Sequence, residues 1–420
     1  MNIIDIIDKK RRKEVLSEDE IKIFINGYLT NEIKDYQLSS LLMAMCINGL
    51  NIEETAYLTN VYINSGQVLD FSNLGITVDK HSTGGIGDKV SLVLVPLVAS
   101  CGVVVPKMSG KGLGITGGTI DKLESIPGLR VDLTSEELTK QLKDIGCAIF
   151  SANKDVAPAD KKIYNLRSLT STVASYGLIT ASILSKKIAS GNKNIVIDVK
   201  FGDGAFMKNI KEARVLVKFL TEVGIKLGVN IKCIMSTMDR PLGNKVGNSL
   251  EVEEAIDTLL GIGPKDLLEV IIELASNMVS IAKGISYKEA RDLALKRLND
   301  RSAYNKFISM IEYQGGDLSM LKKANYRYVV KSTRSGYISG FDIDKLTNLN
   351  LLLGVIKETQ KDAIIYENGF ELLVKPDTRI NVGTDLLAIY SDKKIEDFNV
   401  YESIVKIDSK VMKNKTVYKV

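Results

Sequence analysis

The sequence predicts an α/β protein: a mostly parallel central sheet with Gly-rich loops, a helical domain and a C-terminal α+β domain. Three observations carry that prediction. Residues 1–66 show helical periodicity and no convincing strand. Between 76 and 330, short apolar runs such as "GITVDK", "GVVVPKM", "CAIF", "NIVIDVK" and "IKCIMS" alternate with longer helical segments, the pattern of a parallel sheet covered by helices. Further on, "YRYVVKSTRSGYISGFD", "AIIYENGFELLVK" and "GTDLLAIYSD" read as hairpins of a small α+β module. At 420 residues the chain exceeds a single core, so two or three domains are expected.

Each element has a local reason. "DKKRRKEV" at 8–15 reads as the solvated face of a first helix. In "SEDEIKIFINGYL", Ser17 and Glu20 stand at capping-box spacing before an apolar stripe. "DYQLSSLLMAMCINGL" and "IEETAYLTNVYINSG" continue as two more helices. The helical stretches 158–173 and 177–190 have no strand between them and are expected to rejoin this layer. The expected division is therefore a helical domain (1–66, joined by 158–190), an α/β phosphate-binding domain (67–157 and 191–330) and an α+β domain (331–420).

Composition removes several function classes. Hydrophobic and charged shares of 45% and 25% argue against disorder. The net charge of +5 is spread along the chain, and its one basic cluster lacks interleaved aromatics, so no nucleic-acid partner is expected. No apolar run approaches the ~20 residues that span a bilayer, so no membrane partner is expected either. The four cysteines stand far apart without metal-ligand spacing and read as free thiols. With no signal-peptide pattern, a cytoplasmic location is expected.

Ten of the 33 glycines fall between Gly84 and Gly128. The first block, "VDKHSTGGIGDKVSLVLVPLVAS", runs strand, Gly-rich turn, helix. Such a turn lets backbone approach a ligand, and the helix start offers free N–H groups and a positive dipole end to an anion. Lys80, Ser82 and Ser91 add side-chain donors. The second block, "VVVPKMSGKGLGITGGTIDKLESIPG", is another strand and loop, with donors at Ser109, Gly110 and Thr119. Two such loops at the carboxyl edge of one parallel sheet converge on one crevice, which suits inorganic phosphate or a monophosphate. The P-loop pattern GxxxxGK[ST] is absent.

"KHSTGGIGDKVS" with "SGKGLGITGGTIDKLES" resembles the signature of the pyrimidine-nucleoside phosphorylase and thymidine phosphorylase family. The resemblance continues in order through "APADKKIYNLRSLTSTVAS", "LITASILSKKIASG", "DVKFGDGAFMK" and "PLGNKVGNSLEVEEAIDTL". It implies phosphorolysis of uridine, thymidine and deoxyuridine to free base and a pentose 1-phosphate, in nucleoside salvage. Inorganic phosphate is the co-substrate and no organic cofactor is involved. The resemblance assigns phosphate to Lys80, Ser82, Ser91, Lys107, Ser109, Gly110 and Thr119. It assigns the base to Tyr164, Arg167, Ser182 and Lys186, and catalysis to His81, Arg167 and Lys186. His81, the chain's only histidine, is expected to give a hydrogen bond or proton to the departing base, with a pKa near neutrality.

Some bacterial members of this family hold potassium. The matching positions here are Gly87, Lys89, Leu242, Lys245 and Glu254, and the expectation is that the Lys89 ammonium replaces the ion and pairs with Glu254. Lysine at 107 resembles members that accept both uridine and thymidine. The thymidine-restricted type, which tends to carry an apolar residue at that position, is the alternative. Lys111 and Ile115 depart from the family's arginine and histidine, which leaves a non-catalytic nucleoside- or phosphate-binding relative as a further alternative. Anthranilate phosphoribosyltransferase shares a similar scaffold, but its diphosphate and Mg²⁺ site needs paired acidic residues that these loops do not supply. The family is usually a homodimer, and "LLMAMCINGL" is compatible with such an interface.

Overall fold

Four helices open the chain: α1 (Ile3–Arg11), α2 (Glu18–Leu29), α3 (Asp35–Asn48) and α4 (Ile52–Ile63). They belong to a computed structural model that describes residues 2–112, 117–151, 156–357, 362–409 and 415–418. Two of the helix starts are closed by capping boxes. Ser17 Oγ accepts from Glu20 N at 3.2 Å while Glu20 Oε2 accepts from Ser17 N at 2.7 Å. Asn51 and Glu54 repeat the arrangement on α4. Each cap satisfies amides that a helix start leaves bare.

Next come β1 (Asp79–Ser82), α5 (Val90–Ser100), β2 (Val105–Ser109), α6 (Thr119–Glu124), α7 (Ser135–Ile145) and β3 (Cys147–Ser151). Helices α8 (Pro158–Leu169) and α9 (Tyr176–Ala189) follow without a strand between them. Ala159, Ile163, Leu178 and Ala181 of this pair join the core of α1–α4, beside Phe24, Leu38 and Tyr62. Helix α9 also sends Ile183 and Leu184 into the neighbouring sheet core. The chain continues through β4 (Asn194–Phe201), α10 (Ile210–Lys226), β5 (Asn230–Thr237), β6 (Lys245–Val246), α11 (Asn248–Leu259), α12 (Lys265–Lys283), α13 (Tyr287–Asn299) and α14 (Ser302–Tyr313).

Strand β1 pairs parallel with β4, β4 with β5, and β2 with β3. A parallel bridge from Thr77 to Val104 links the two halves. The order is thus β3-β2-β1-β4-β5, and β1 and β2 end at the same edge. Helix α5 is buried on all sides from Val90 to Ala99, which is why its sequence is apolar throughout and shows no polar face.

The C-terminal part holds β7 (Tyr326–Lys331), β8 (Gly336–Phe341), α15 (Ile343–Leu352), β9 (Gly369–Leu372), β10 (Arg379–Ile380), β11 (Asp385–Ser391), β12 (Val405–Asp408) and β13 (Val417–Tyr418). "YRYVVKSTRSGYISGFD" is not a hairpin. Its first strand, β7, pairs with β11, whereas β8 pairs with β10 and β12. Alternation fixes which side chains face inward but not which strand lies alongside. Here Val330, Ile338 and Phe341 enter one core with Phe370 and Leu387, and the distant partners win. That core also takes Ile86 from the first Gly-rich loop and Val246 from β6, so the C-terminal part packs directly on the loop. Strand β13 returns to pair antiparallel with β5 at the edge of the central sheet.

Candidate active site

The two Gly-rich turns leave adjacent parallel strands. Ser82 ends β1 and Ser109 ends β2. In the first turn Ser82 Oγ donates to Asp88 Oδ2 at 2.5 Å and accepts from Gly84 N at 3.2 Å. Lys80 is almost fully buried, with Nζ 3.9 Å from Asp88 Oδ1. Burial pushes the Lys80 ammonium below its ordinary pKa, and the Asp88 and Asp198 carboxylates offset part of that. Burial acts upward on Asp88, but Lys80 and Lys200 outweigh it and hold the carboxyl well below the usual range. Ser91, in the first turn of α5, is buried as well. Gly87 has φ +74°, and a Cβ there would lie 2.9 Å from Leu242 O, so the loop has room only for glycine.

In the second turn the Ser109 hydroxyl is buried and has no hydrogen-bond partner among the described residues. Gly110 is exposed beside it, and Thr119 is half-buried at the start of α6. Lys107 lies inside β2, nearly fully buried. Its ammonium donates to Met108 O at 2.9 Å and sits 4.0 Å from Asp79 Oδ1. Lys187 donates to the same carbonyl at 2.7 Å and to Asp79 Oδ2 at 2.6 Å. Two lysines thus share one carboxylate. Burial first, and then Lys187, pushes Lys107 well below its ordinary pKa. Lys111 is exposed on Glu124 at 2.8 Å, and Ile115 lies outside the described residues.

The residues assigned to the base come from α8 and α9. Lys186 donates to Ser182 Oγ at 2.8 Å and to Asp160 Oδ2 at 2.5 Å, and its ammonium lies 5.7 Å from the centre of the Tyr164 ring. The other Asp160 oxygen is buried and has no partner among the described residues. Arg167 is buried and spends its guanidinium on the carbonyls of Thr172, Val173 and Leu178 at 3.2, 2.8 and 3.2 Å. In this state it holds the turn from α8 to α9 while stacking 5.4 Å from the Tyr164 ring centre. It retains N–H groups beyond these three bonds.

His81 is half-buried on β1. Its pKa does not lie near neutrality: desolvation, then the ammonium groups of Lys187, Lys107, Lys186 and Lys80, push it well below 6.5. The imidazole is therefore neutral at pH 7, a form that carries one N–H donor and one acceptor nitrogen.

Lys89 is fully buried, with Nζ donating to Leu242 O at 3.1 Å, Lys245 O at 2.5 Å and Glu254 Oε2 at 2.5 Å. Two carbonyls and a carboxylate around one cation match the oxygen-rich surroundings of a small monovalent ion. Gly243 closes the site: its φ is +79°, and a Cβ would meet Glu254 Oε2 at 2.2 Å. A cleft of about 690 Å³ adjoins Glu254, but it brings five carboxylates against four cationic side chains and offers a phosphate no surplus charge.

Sequence reasoning missed the buried partners: Asp79, Lys187, Asp88, and the Asp198–Lys200 pair at 2.6 Å with Ser236. A signal existed in "VDK" and "IDVK", where charges interrupt apolar strands. Such charges are buried and need partners.

Two family models match the chain: glycosyl transferase family, helical bundle domain, over residues 4–66, and glycosyl transferase family, a/b domain, over residues 74–304. A pyrimidine-nucleoside phosphorylase of Staphylococcus haemolyticus is 44% identical over 419 residues, 98% of this chain and 96% of its own. That of Geobacillus stearothermophilus is 44% identical over 415 residues, 96% of each. The crystal structure of anthranilate phosphoribosyltransferase from Thermus thermophilus superposes with a TM-score of 0.59 at 18% identity. It covers 74% of this chain and 99% of that one, a likeness of fold.

Proposed function

Because this chain belongs to the glycosyl transferase family that holds the pyrimidine-nucleoside phosphorylases, we propose that its paired Gly-rich loops carry out phosphorolysis of pyrimidine nucleosides. The observation that carries this reading is the cluster of buried ammonium groups on β1, β2 and α9. Lys80, Lys107 and Lys187 surround a neutral imidazole, beside a buried hydroxyl with no partner among the described residues. Phosphate, held by Lys80, Ser82, Ser91, Ser109, Gly110 and Thr119, attacks the anomeric carbon. The carbon–nitrogen bond breaks and its electron pair leaves with the base. His81 donates a hydrogen bond to the base carbonyl as charge develops there, while Ser182, Lys186, Arg167 and Tyr164 orient the ring.

The buried Lys107 ammonium inside β2 supports acceptance of a ribose hydroxyl, hence of uridine as well as thymidine and deoxyuridine. The Lys89–Glu254 contact supports a resident ammonium in place of potassium. Tyr36, Met43 and Ile47 lie exposed on one face of α3 and support a homodimer, expected by light scattering at twice the 46.2 kDa chain mass; a single-chain mass would refute it. Four free cysteines support a reducing compartment, the cytoplasm, and a fractionated cell extract with the protein outside the soluble fraction would contradict that. The test of the reaction is release of free base from the three nucleosides with and without phosphate, followed by ultraviolet absorbance. Phosphate-dependent release from all three is expected. Release from deoxynucleosides alone would make the enzyme thymidine-restricted, and binding without release would make it a non-catalytic relative.

A further inference from the structure

Helix α11 carries two glutamates three residues apart, Glu251 and Glu254, which therefore share a face. Both are nearly fully buried, and each faces a buried lysine that adjoins a different Gly-rich loop, Lys122 being on α6. Glu254 holds Lys89, at the end of the first loop. Glu251 Oε2 lies 3.4 Å from Lys122 Nζ, just beyond the second. Lys122 is itself almost fully buried and donates to Gly117 O at 3.1 Å and Gly118 O at 3.5 Å.

The described parts of that second loop form one body. Asp121 Oδ2 accepts from Gly112 N at 2.6 Å and from Gly118 N at 2.9 Å. A Cβ on Gly118 would lie 2.3 Å from Gly112 N and 2.6 Å from Gly110 O, so the two stems touch through backbone. Whatever fixes residues 117–118 therefore also fixes Gly110 and the adjoining Ser109 hydroxyl. Lys122 and Glu251 take no part in the chemistry described above. A buried ion pair is weak evidence for stability, because an apolar pair of similar volume does as well or better. The directional bonds here are those of the Lys122 ammonium to the two loop carbonyls, and Glu251 Oε2 stands at ion-pair distance behind it without a hydrogen bond among the described residues.

We propose that Lys122 and Glu251 are positioning residues for phosphate: one face of α11 holds both Gly-rich loops through a lysine each and so sets the spacing between their phosphate donors. The proposal rests on the phosphorylase reading of the loops. It is tested by the double substitution Lys122→Met with Glu251→Leu, which removes both charges and leaves neither orphaned. Phosphate affinity is measured by calorimetry on the full chain, and KM is measured separately for phosphate and for uridine. Phosphate Kd and KM should rise roughly tenfold while uridine KM stays within about twofold, as expected for misplaced donors rather than global damage. Unchanged phosphate affinity, or an equal rise in both KM values, would overturn the proposal. If the double variant does not fold, Glu251→Gln is read by the same split and decides the matter alone. A wild-type chain that bound phosphate yet cleaved no nucleoside would sink the phosphorylase reading, while the calorimetric comparison would still judge the clamp.

Discussion

At the scale of single residues, the site is governed by where charge is buried. Desolvation first, and then the ammonium groups of Lys187, Lys107, Lys186 and Lys80, favours the neutral form of His81. The sign follows. Between its depressed folded value and 6.5 the unfolded chain binds the proton that the folded chain refuses, so this group's stabilisation is intact above 6.5 and is lost as pH falls below it. Because the chain has one histidine, a single imidazole resonance can be followed by NMR. Its midpoint should lie well below 6.5 in the free protein and move upward when phosphate supplies opposite charge; a midpoint at or above 6.5 without phosphate would refute the neutral-donor assignment. The loop donors and the α9 pair were legible from "KHSTGGIGDKVS" and "LITASILSKKIASG". The charge balance was not, because a lysine in a sequence reads as solvated until its neighbours are known. Lys187 and Asp79, 108 positions apart, meet only in the fold.

At the scale of elements, local chemistry was readable and pairing was not. The Ser17–Glu20 capping box places the start of α2. The five parallel strands stand where short apolar runs marked them. By contrast, β7 and β8 are separated by four residues yet join different sheets, since partner choice depends on non-local packing. The Lys89 contacts also belong to this scale, for they tie the first loop to the 242–245 segment and to α11. The wild-type rate should be unchanged when KCl replaces another salt at constant ionic strength. Lys89→Ala should lose activity and regain part of it with potassium or ammonium, which can occupy the vacated oxygen cage. Severalfold activation of the wild type by potassium would count against a resident ammonium.

At the scale of the molecule, the candidate nucleophile site sits on the central sheet and the base-orienting residues sit on α8 and α9, which pack with the N-terminal helices. Helix α9 joins the two parts: Lys186 turns to Asp160 on α8, and the next residue, Lys187, turns to Asp79 on β1. The arrangement makes sense only if phosphate and nucleoside meet between them, and that is the central claim. Phosphorus NMR of the wild-type chain with uridine and inorganic phosphate tests it most directly. The account predicts one ribose 1-phosphate for each uracil released, with an equal loss of inorganic phosphate. Uracil accompanied by free ribose, with the phosphate signal unchanged, would mean that water is the nucleophile and would contradict it.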